Sequence, residues 1–426
     1  MSARWDAVIV GAGVAGSACA ILLARCGWKV ALVERQRFPR SKVCGECLGA
    51  SSFALLDILG VGAAVRAAAG PELRELVLMR GARSVRAPLP AADSGAQAWS
   101  RVVGRELLDT LLVAQAAACG VALWQPWALQ GVQGSAGDWR CSLRAVDTQE
   151  RMTLQADVLI DAHGSWEPLQ ALRAPVPSTA SQLLAFKAHF QHTDLAAGTL
   201  PVLLFEGGYG GMVLGAQGLA TLACCIRRDR LNALRSLYPA TSAGASVQAM
   251  LQQTCSGVQQ ALQGAVRAGP WLAAGPLVPG MHLRADDAVL RVGNAAGEAH
   301  PLIGEGMAMA LQSAWLLSHS LQQARSQPVA AAAAWQAPVA RAYAAQWARL
   351  LRPRLRVAAV FARLALQRAA APALMALLQA QPALLTRAAR WGGKADAFDY
   401  FSRSNHDANH PEPIAADPDQ GLPTGA

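Results

Sequence analysis

Trp5-Asp6-Ala7-Val8-Ile9-Val10-Gly11-Ala12-Gly13-Val14-Ala15-Gly16 reads as a buried strand, a glycine-rich turn and the start of a helix. The helix is expected over Val14–Cys26 and a second strand over Lys29–Glu34, which makes a strand-helix-strand unit with tight connections. Each glycine then has its own task. Gly11 permits the sharp turn, Gly13 lets a pyrophosphate approach the backbone, and Gly16 lets the helix lie close against the sheet. The helix N-terminus faces the phosphates, and Glu34, 18 positions after Gly16, can accept hydrogen bonds from a ribose. Ala15, Arg35 and Lys42 are expected as further dinucleotide contacts. The motif alone does not separate one dinucleotide from another.

Working outward, a loop with Pro39 and Gly45 spans Arg35–Leu48, and Gly49–Leu59 reads as helix. Leu73–Met79 and Val121–Gln125 read as strands around an amphipathic helix, Gly104–Cys119, while Trp139–Ala145 and Met152–Asp161 alternate as a hairpin should. Between about residues 173 and 285 the alternation lengthens, in Leu183–Gln191, Pro201–Glu206, Gly210–Leu214 and Leu219–Arg227, as in a separate antiparallel sheet. Ala288–Val292 returns as a buried strand, followed by a glycine-rich turn and a helix over Glu305–Leu321. Ala330–Ala389 reads as helix broken by Pro353, Pro372 and Pro382, and Asp407–Ala426 reads as a disordered tail. The fold class is α/β. A Rossmann-like domain (1–172 with insertions, then 286–325) is interleaved with an antiparallel-sheet substrate domain (173–285), and a basic helical region (326–400) and a tail (401–426) follow.

Later segments narrow the cofactor by resemblance. Arg291-Val292-Gly293-Asn294-Ala295-Ala296-Gly297, continuing to Pro301 and Gly304-Glu305-Gly306-Met307, resembles the second flavin fingerprint of the para-hydroxybenzoate hydroxylase and geranylgeranyl reductase superfamily. Val103-Gly104-Arg105-Glu106-Leu107-Leu108-Asp109 resembles that superfamily's arginine-containing helix start. The resemblance implies a glutathione-reductase-type domain holding FAD, with Arg105, Gly293, Asn294, Pro301, Gly304, Gly306 and Met307 as contacts. The Gly304–Met307 amides would face the pyrimidine edge of the flavin, where negative charge develops on reduction. The family usually has Asp at the place of Asn294, which can still hydrogen-bond a ribityl hydroxyl but without charge.

The same resemblance carries expectations for the reacting end. Lys42-Val43-Cys44-Gly45-Glu46 is similar to the Lys-x-Cys-Gly segment of geranylgeranyl reductases and to the Gly-Glu segment of flavin halogenases, which implies Cys44 and Glu46 as active-site lining. Tyr209, within a glycine-dense run, is expected to line the substrate cavity, and His300 is expected as a proton donor near the reactive face. Asp161-Ala162-His163-Gly164 occupies the place of the superfamily's Asp-Gly motif, with His163 at the acid's position. The Trp of the reductases' Tyr-x-Trp pattern is missing, and so is the halogenases' Trp-x-Trp-x-Ile-Pro signature.

Composition sets the outer limits. Of 426 residues 53% are hydrophobic and 15% charged, which supplies a large core and argues against general disorder. No apolar run is long enough to span a membrane and no secretory signal opens the chain, so a cytoplasmic location is expected. Nine cysteines without a framework fit a reducing compartment, and Cys44-x-x-Cys47 has no second pair to complete a metal site. The net charge of +10 is uneven. No Asp or Glu occurs between Gly306 and Lys394, a stretch that suits an anionic membrane surface, an acyl carrier protein or simply a solvated face. No nucleic-acid partner is expected.

The function expected is that of an FAD-dependent oxidoreductase acting on an apolar small-molecule substrate with NAD(P)H as electron donor. Two reactions stay open, hydroxylation by a monooxygenase and reduction of a carbon-carbon double bond as in geranylgeranyl reductases. Halogenation and a non-catalytic lipid escort role are more distant readings.

Overall fold

The computed structural model describes residues 4–93, 97–165, 179, 182–239, 242–325, 332–367 and 370–394; the expected tail at 401–426 lies outside the described residues. The first strand, β1 (Arg4–Val10), leads through the glycine turn into helix α1 (Val14–Arg25) and strand β2 (Val30–Val33). β1 pairs in parallel with β2 on one side and with Arg151–Asp161 on the other, setting Val8 opposite Ala31 and Leu159. Ala122–Trp124 extends the sheet beyond β2, and Leu290–Arg291 adds in parallel beside Asp161. Ala7, Val8, Ile9 and Val10 are all buried, as a parallel strand covered on both faces requires. One face lies under α1 and the helices Arg105–Ala118 and Gly306–Arg325, with Leu23, Leu112 and Leu317 in a common core.

The expected hairpin is present, Asp138–Ala145 against Arg151–Asp161, and a third strand, Trp127–Ser135, extends it. That third strand is mostly half-exposed and carries no clean alternation, so its sequence gives no periodic signal.

The second sheet runs in the order Val266–Ala274, Leu183–Gln191, Ala220–Arg227, Gly208–Leu214, Thr199–Phe205, Glu75–Arg80, Arg83–Pro88. Its last two strands come from the early part of the chain, and Glu75–Arg80 joins Thr199–Phe205 in parallel. Side-chain alternation divides the faces. Phe186, Ala188 and Phe190 pack with Leu231, Val247, Met250 and Val258 of three helices that cover the outer face. Ala185, Lys187 and His189 necessarily point the other way, toward the first domain.

The helix Ala332–Leu366 runs through Pro338 and Pro353 without the break expected at Pro353. Pro353 is exposed, so the carbonyl it cannot serve is free to meet water, while Trp347, Leu351 and Leu355 bury the opposite face and hold the helix together. Pro372 sits inside the first turn of Ala370–Ala380, where no intrahelical donor is needed, so a new helix begins at this proline as one does at Pro382. The Tyr343 hydroxyl donates to the Arg291 carbonyl at 2.8 Å and ties the long helix to the first domain. Beyond it Ala362, Ala365, Met375, Leu378 and Leu385 share a core with Leu76, Leu78 and Leu204 of the second sheet.

Candidate active site

A cavity of about 880 Å³ opens at the C-terminal ends of β1 and β2, where Gly11, Gly13, Glu34, Arg35, Lys42 and His163 line it. Gly11 has φ +105°, and a Cβ there would stand 2.5 Å from the Ala162 carbonyl oxygen. A Cβ on Gly16 would come within 1.9 Å of the Gly11 oxygen, which is the close helix-to-strand approach expected of the motif. Glu34 is buried and accepts from the amides of Ala12 at 3.0 Å and Gln36 at 2.9 Å. His163 does not reach the inner cavity described below. Its Nδ1 lies 3.0 Å from Asp161 Oδ1, which also accepts from the His163 amide at 3.1 Å.

Three cations surround the phosphate end of this cleft. Arg105 is held by Asp109 through two hydrogen bonds of 2.9 and 2.8 Å. Arg40 lies 3.3 Å from Glu34 and 3.7 Å from the same Asp109. Among the described residues Lys42 has no such carboxylate contact. Burial, followed by repulsion from Arg40 and Arg105, pushes its ammonium down to about 8. A lysine that loses affinity for its own proton beside two arginines marks a place short of negative charge, which the pyrophosphate of FAD would supply.

Gly13, Lys42, Val43 and Ala162 are shared with a second cavity of about 240 Å³, which the C-terminal fingerprint closes. Ala15, Arg105, Gly293, Asn294, Pro301, Gly304, Gly306 and Met307 all line it. The two fingerprints touch, because a Cβ on Gly293, whose φ is +63°, would stand 2.9 Å from that of Ala15. Gly304, also left-handed, ends the short turn Pro301–Ile303, and its amide is already taken by the Pro301 carbonyl at 2.9 Å. The Gly304 amide, expected to face the flavin, thus already has an acceptor within its own turn. The helix Gly306–Arg325 starts immediately afterward, and its first-turn amides have no intrahelical acceptor.

Asn294 has a local reason to be an amide. Its Nδ2 donates to Ser165 Oγ at 2.9 Å, and that hydroxyl gives its only proton to Glu298 Oε1 at 2.9 Å. A carboxylate at 294 would face an oxygen with no proton left to offer.

The inner cavity contains a Tyr-His pair. The Tyr209 hydroxyl stands 3.1 Å from His300 Nδ1, and the rings meet edge to face. Burial, aided by the charge of Arg363, pushes His300 down to about 4, and burial raises Tyr209 well above its ordinary value. Both groups are neutral near pH 7. His300 thus offers a neutral N–H and not an imidazolium proton. Leu200, Val202, Leu277 and Leu302 surround the pair.

Cys44 and Glu46 both reach the wall of this cavity, with different surroundings. Cys44 is half-buried and lies beside the Arg105 guanidinium. Glu46 accepts from Lys187 Nζ and from Thr221 Oγ1 at 2.6 Å, with His189 Nε2 at 3.4 Å. Burial would raise the Glu46 carboxyl, but His189, Lys187 and Thr221 together outweigh it and bring it down to about 2. Glu46 also has φ +59°, a left-handed conformation that a non-glycine residue keeps only when its surroundings fix it. Its carboxylate clamps the cysteine loop to the second sheet and is not free for chemistry. Lys187, His189 and Thr221 escaped the sequence reading, although a lysine within the apolar run Leu183–Phe190 signals a buried partner.

A second buried cation was equally unforeseen. Lys394 Nζ lies 2.9 Å from Glu305 Oε1, 3.2 Å from Cys47 Sγ and 3.2 Å from the Gly304 carbonyl oxygen. Burial would lower this ammonium, but Cys47 and Glu305 outweigh it and hold it above its usual value. Cys47 and Cys44 have different cationic neighbours and both are free thiols. Among the described residues no group of His, Cys, Asp and Glu is arranged to hold a metal ion.

A dinucleotide cleft that continues into an apolar cavity, roofed by an antiparallel sheet, defines a two-domain flavoprotein. The chain belongs to the FAD binding domain family, whose pattern matches residues 4–346, and FAD is its cofactor. Conditioned medium factor receptor 1 of Dictyostelium discoideum is 26% identical over 341 residues, 75% of this chain and 64% of that protein. The menaquinone reductase of Mycolicibacterium smegmatis is 48% identical over 61 residues, 14% of this chain and 15% of that one. The chain thus spans less than two thirds of the length of either relative. Among solved structures, a myxobacterial chondrochloren halogenase, an FAD-dependent enzyme, has a TM-score of 0.69 at 19% identity, covering 82% of this chain and 81% of that one. A probable FAD-dependent monooxygenase from Pseudomonas aeruginosa has a TM-score of 0.67 at 18% identity, covering 86% and 98%. At these identities the likeness to both structures is one of fold.

Proposed function

We propose that the protein is an FAD-dependent oxidoreductase, and specifically a monooxygenase that hydroxylates an apolar aromatic or polyketide- or isoprenoid-like substrate, with NAD(P)H as electron donor. The observation that carries this reading is the uncharged Tyr209–His300 pair set in an apolar cavity against the flavin side of the fold. When bound, FAD supplies electron transfer and the activation of dioxygen. Arg40, Lys42 and Arg105 bind its pyrophosphate, and Glu34 its ribose. Tyr209 and His300 offer one hydrogen-bonding contact to a substrate oxygen, and neither carries a charge that an apolar ring would have to desolvate. Leu200, Val202, Leu277 and Leu302 exclude water around that contact. A phenol satisfies this neutral pair better than a carboxylate, whose charge neither Tyr209 nor His300 would balance.

A second reading, reduction of a carbon-carbon double bond, is favoured by Cys44 beside Arg105 on the cavity wall and by the short match to a menaquinone reductase. Anaerobic stopped-flow separates the two. With the flavin reduced by NADH or NADPH and apolar phenols and polyenes as probes, reoxidation is expected only after oxygen is admitted, with one oxygen atom gained by the product. Reoxidation by substrate without oxygen would overturn the monooxygenase reading and leave the reductase.

The C-terminal helix supports a further proposal, docking on an anionic lipid surface. Arg341, Arg349, Arg352, Arg356 and Arg363 are all exposed on Ala332–Leu366. At 3.6 residues per turn they fall within an arc of about 80° along roughly 33 Å of helix. Arg354 and Lys394 are turned inward, and Arg390 is paired with Asp93 at 3.0 Å. A cationic stripe without acids on its own helix matches an anionic surface.

A further inference from the structure

A third cavity, of about 290 Å³, lies between the second sheet and the C-terminal helices. Leu76, Leu78 and Leu204 form its floor on the sheet, and Phe361, Leu374 and Leu378 its roof on the helices. Among the described residues one charged side chain lines it, Lys394, which is held by Glu305 at 2.9 Å. Leu200, Val202, Leu302 and Ile303 line this cavity and also the one that contains Tyr209 and His300. The two chambers therefore share a wall, and Leu302 and Ile303 follow His300 and Pro301 directly in the chain. At the outer end stand Leu377 and Trp391, 51% and 64% exposed.

We infer that this third chamber holds a hydrocarbon chain attached to the substrate ring. The ring sits beside Tyr209 and His300, and the chain passes Leu200, Val202, Leu302 and Ile303 to lie among the leucines, pointing toward Leu377 and Trp391. The inference rests on the reading of the inner cavity as the substrate's place. A leucine-lined space offers water too few polar partners to hold it, so a chain that enters gains the full benefit of apolar burial. The same lining rejects a polar tail. A substrate esterified to a sugar or a nucleotide would strand its hydroxyls or phosphates there.

A series of 4-alkylphenols from ethyl to dodecyl tests this on the FAD-loaded protein, with binding read from perturbation of the flavin's visible absorbance. Affinity is expected to rise about fourfold for each added methylene until the chamber is full. In Leu378→Trp, which fills the roof, that dependence on length should flatten. If this variant fails to fold, Ala388→Leu narrows the same chamber with less bulk. Phenols that bind equally at every chain length, or a length dependence that both variants keep, would overturn the inference while leaving the monooxygenase reading intact. A length dependence abolished by Leu378→Trp, with no phenol hydroxylated, would leave the chamber in place and remove that reading instead.

Discussion

Lys42 is the residue whose charge most directly reports what the nucleotide cleft holds. Its ammonium, brought down to about 8 by burial and by Arg40 and Arg105, is protonated below that value and can then pair with a pyrophosphate. As pH rises through about 8 the proton leaves and the attraction goes with it. FAD affinity, followed by quenching of flavin fluorescence, should be flat below pH 8 and fall above it. Lys42→Met should weaken binding about ten- to a hundredfold at pH 7 and remove the pH dependence, the scale of one lost charge-assisted hydrogen bond. Tyr209→Phe acts at the other end. It should keep its full flavin content and lose about ten- to a hundredfold in kcat/KM, because the substrate contact and the bond to His300 are cut while the nucleotide contacts stay in place. Asn294→Asp, which restores the residue usual in the family, should lower stability by about 1–3 kcal/mol, since Ser165 has no second proton to give it; chemical denaturation of the apoprotein measures this.

At the scale of elements, the loop from Arg37 to Leu48 is fixed by the second sheet rather than by its own turn chemistry. Glu46→Gln or Lys187→Met alone leaves a buried charge without its partner and should cost about 3–5 kcal/mol, while the double substitution should cost less than the sum. Glu46 titrates near 2 when folded, below its ordinary 4.5, so its contribution is complete above about 4.5 and is lost as pH falls through about 2. Denaturation curves at pH 5 and pH 2.5 should therefore differ less in the double variant than in the wild type. The arginine stripe makes its own prediction. Cosedimentation with phosphatidylglycerol vesicles should be strong at low salt, weak at high salt and absent in Arg349→Glu/Arg356→Glu. Equal recovery in that variant would contradict docking, and binding confined to an acidic carrier protein would replace the lipid with a protein partner. Helix Ala332–Leu366 lacks the break that the sequence predicts at Pro353. Pro353 costs the helix a hydrogen bond and a clash with the preceding turn, but the burial of Trp347, Leu351 and Leu355 outweighs this, and that packing is not visible in the sequence.

Across the whole molecule, what was legible is what local chemistry dictates. Gly11, Gly16 and Glu34 are required by a strand-turn-helix that receives a dinucleotide, so their spacing alone placed β1, α1, β2 and the cleft. The meeting of Gly293 with Ala15 was legible only through resemblance, because nothing local joins positions so far apart in the chain. Lys187 with Glu46, and Lys394 with Glu305 and Cys47, were illegible for the same reason. Each is a pairing between distant elements, and one sequence records no such partnership. The helices Arg228–Leu237, Ala243–Thr254 and Ser256–Ala261 are not legible because small and polar residues interrupt their helical period and the last has only 6 residues. A structure of the protein crystallised with FAD tests the central claim most directly. The adenosine ribose should lie within hydrogen-bonding distance of Glu34, the pyrophosphate among Arg40, Lys42 and Arg105, and the isoalloxazine ring between the amides before Met307 and the Tyr209–His300 pair. A flavin ring found outside that inner cavity, with its pyrimidine edge remote from Met307, would contradict the account.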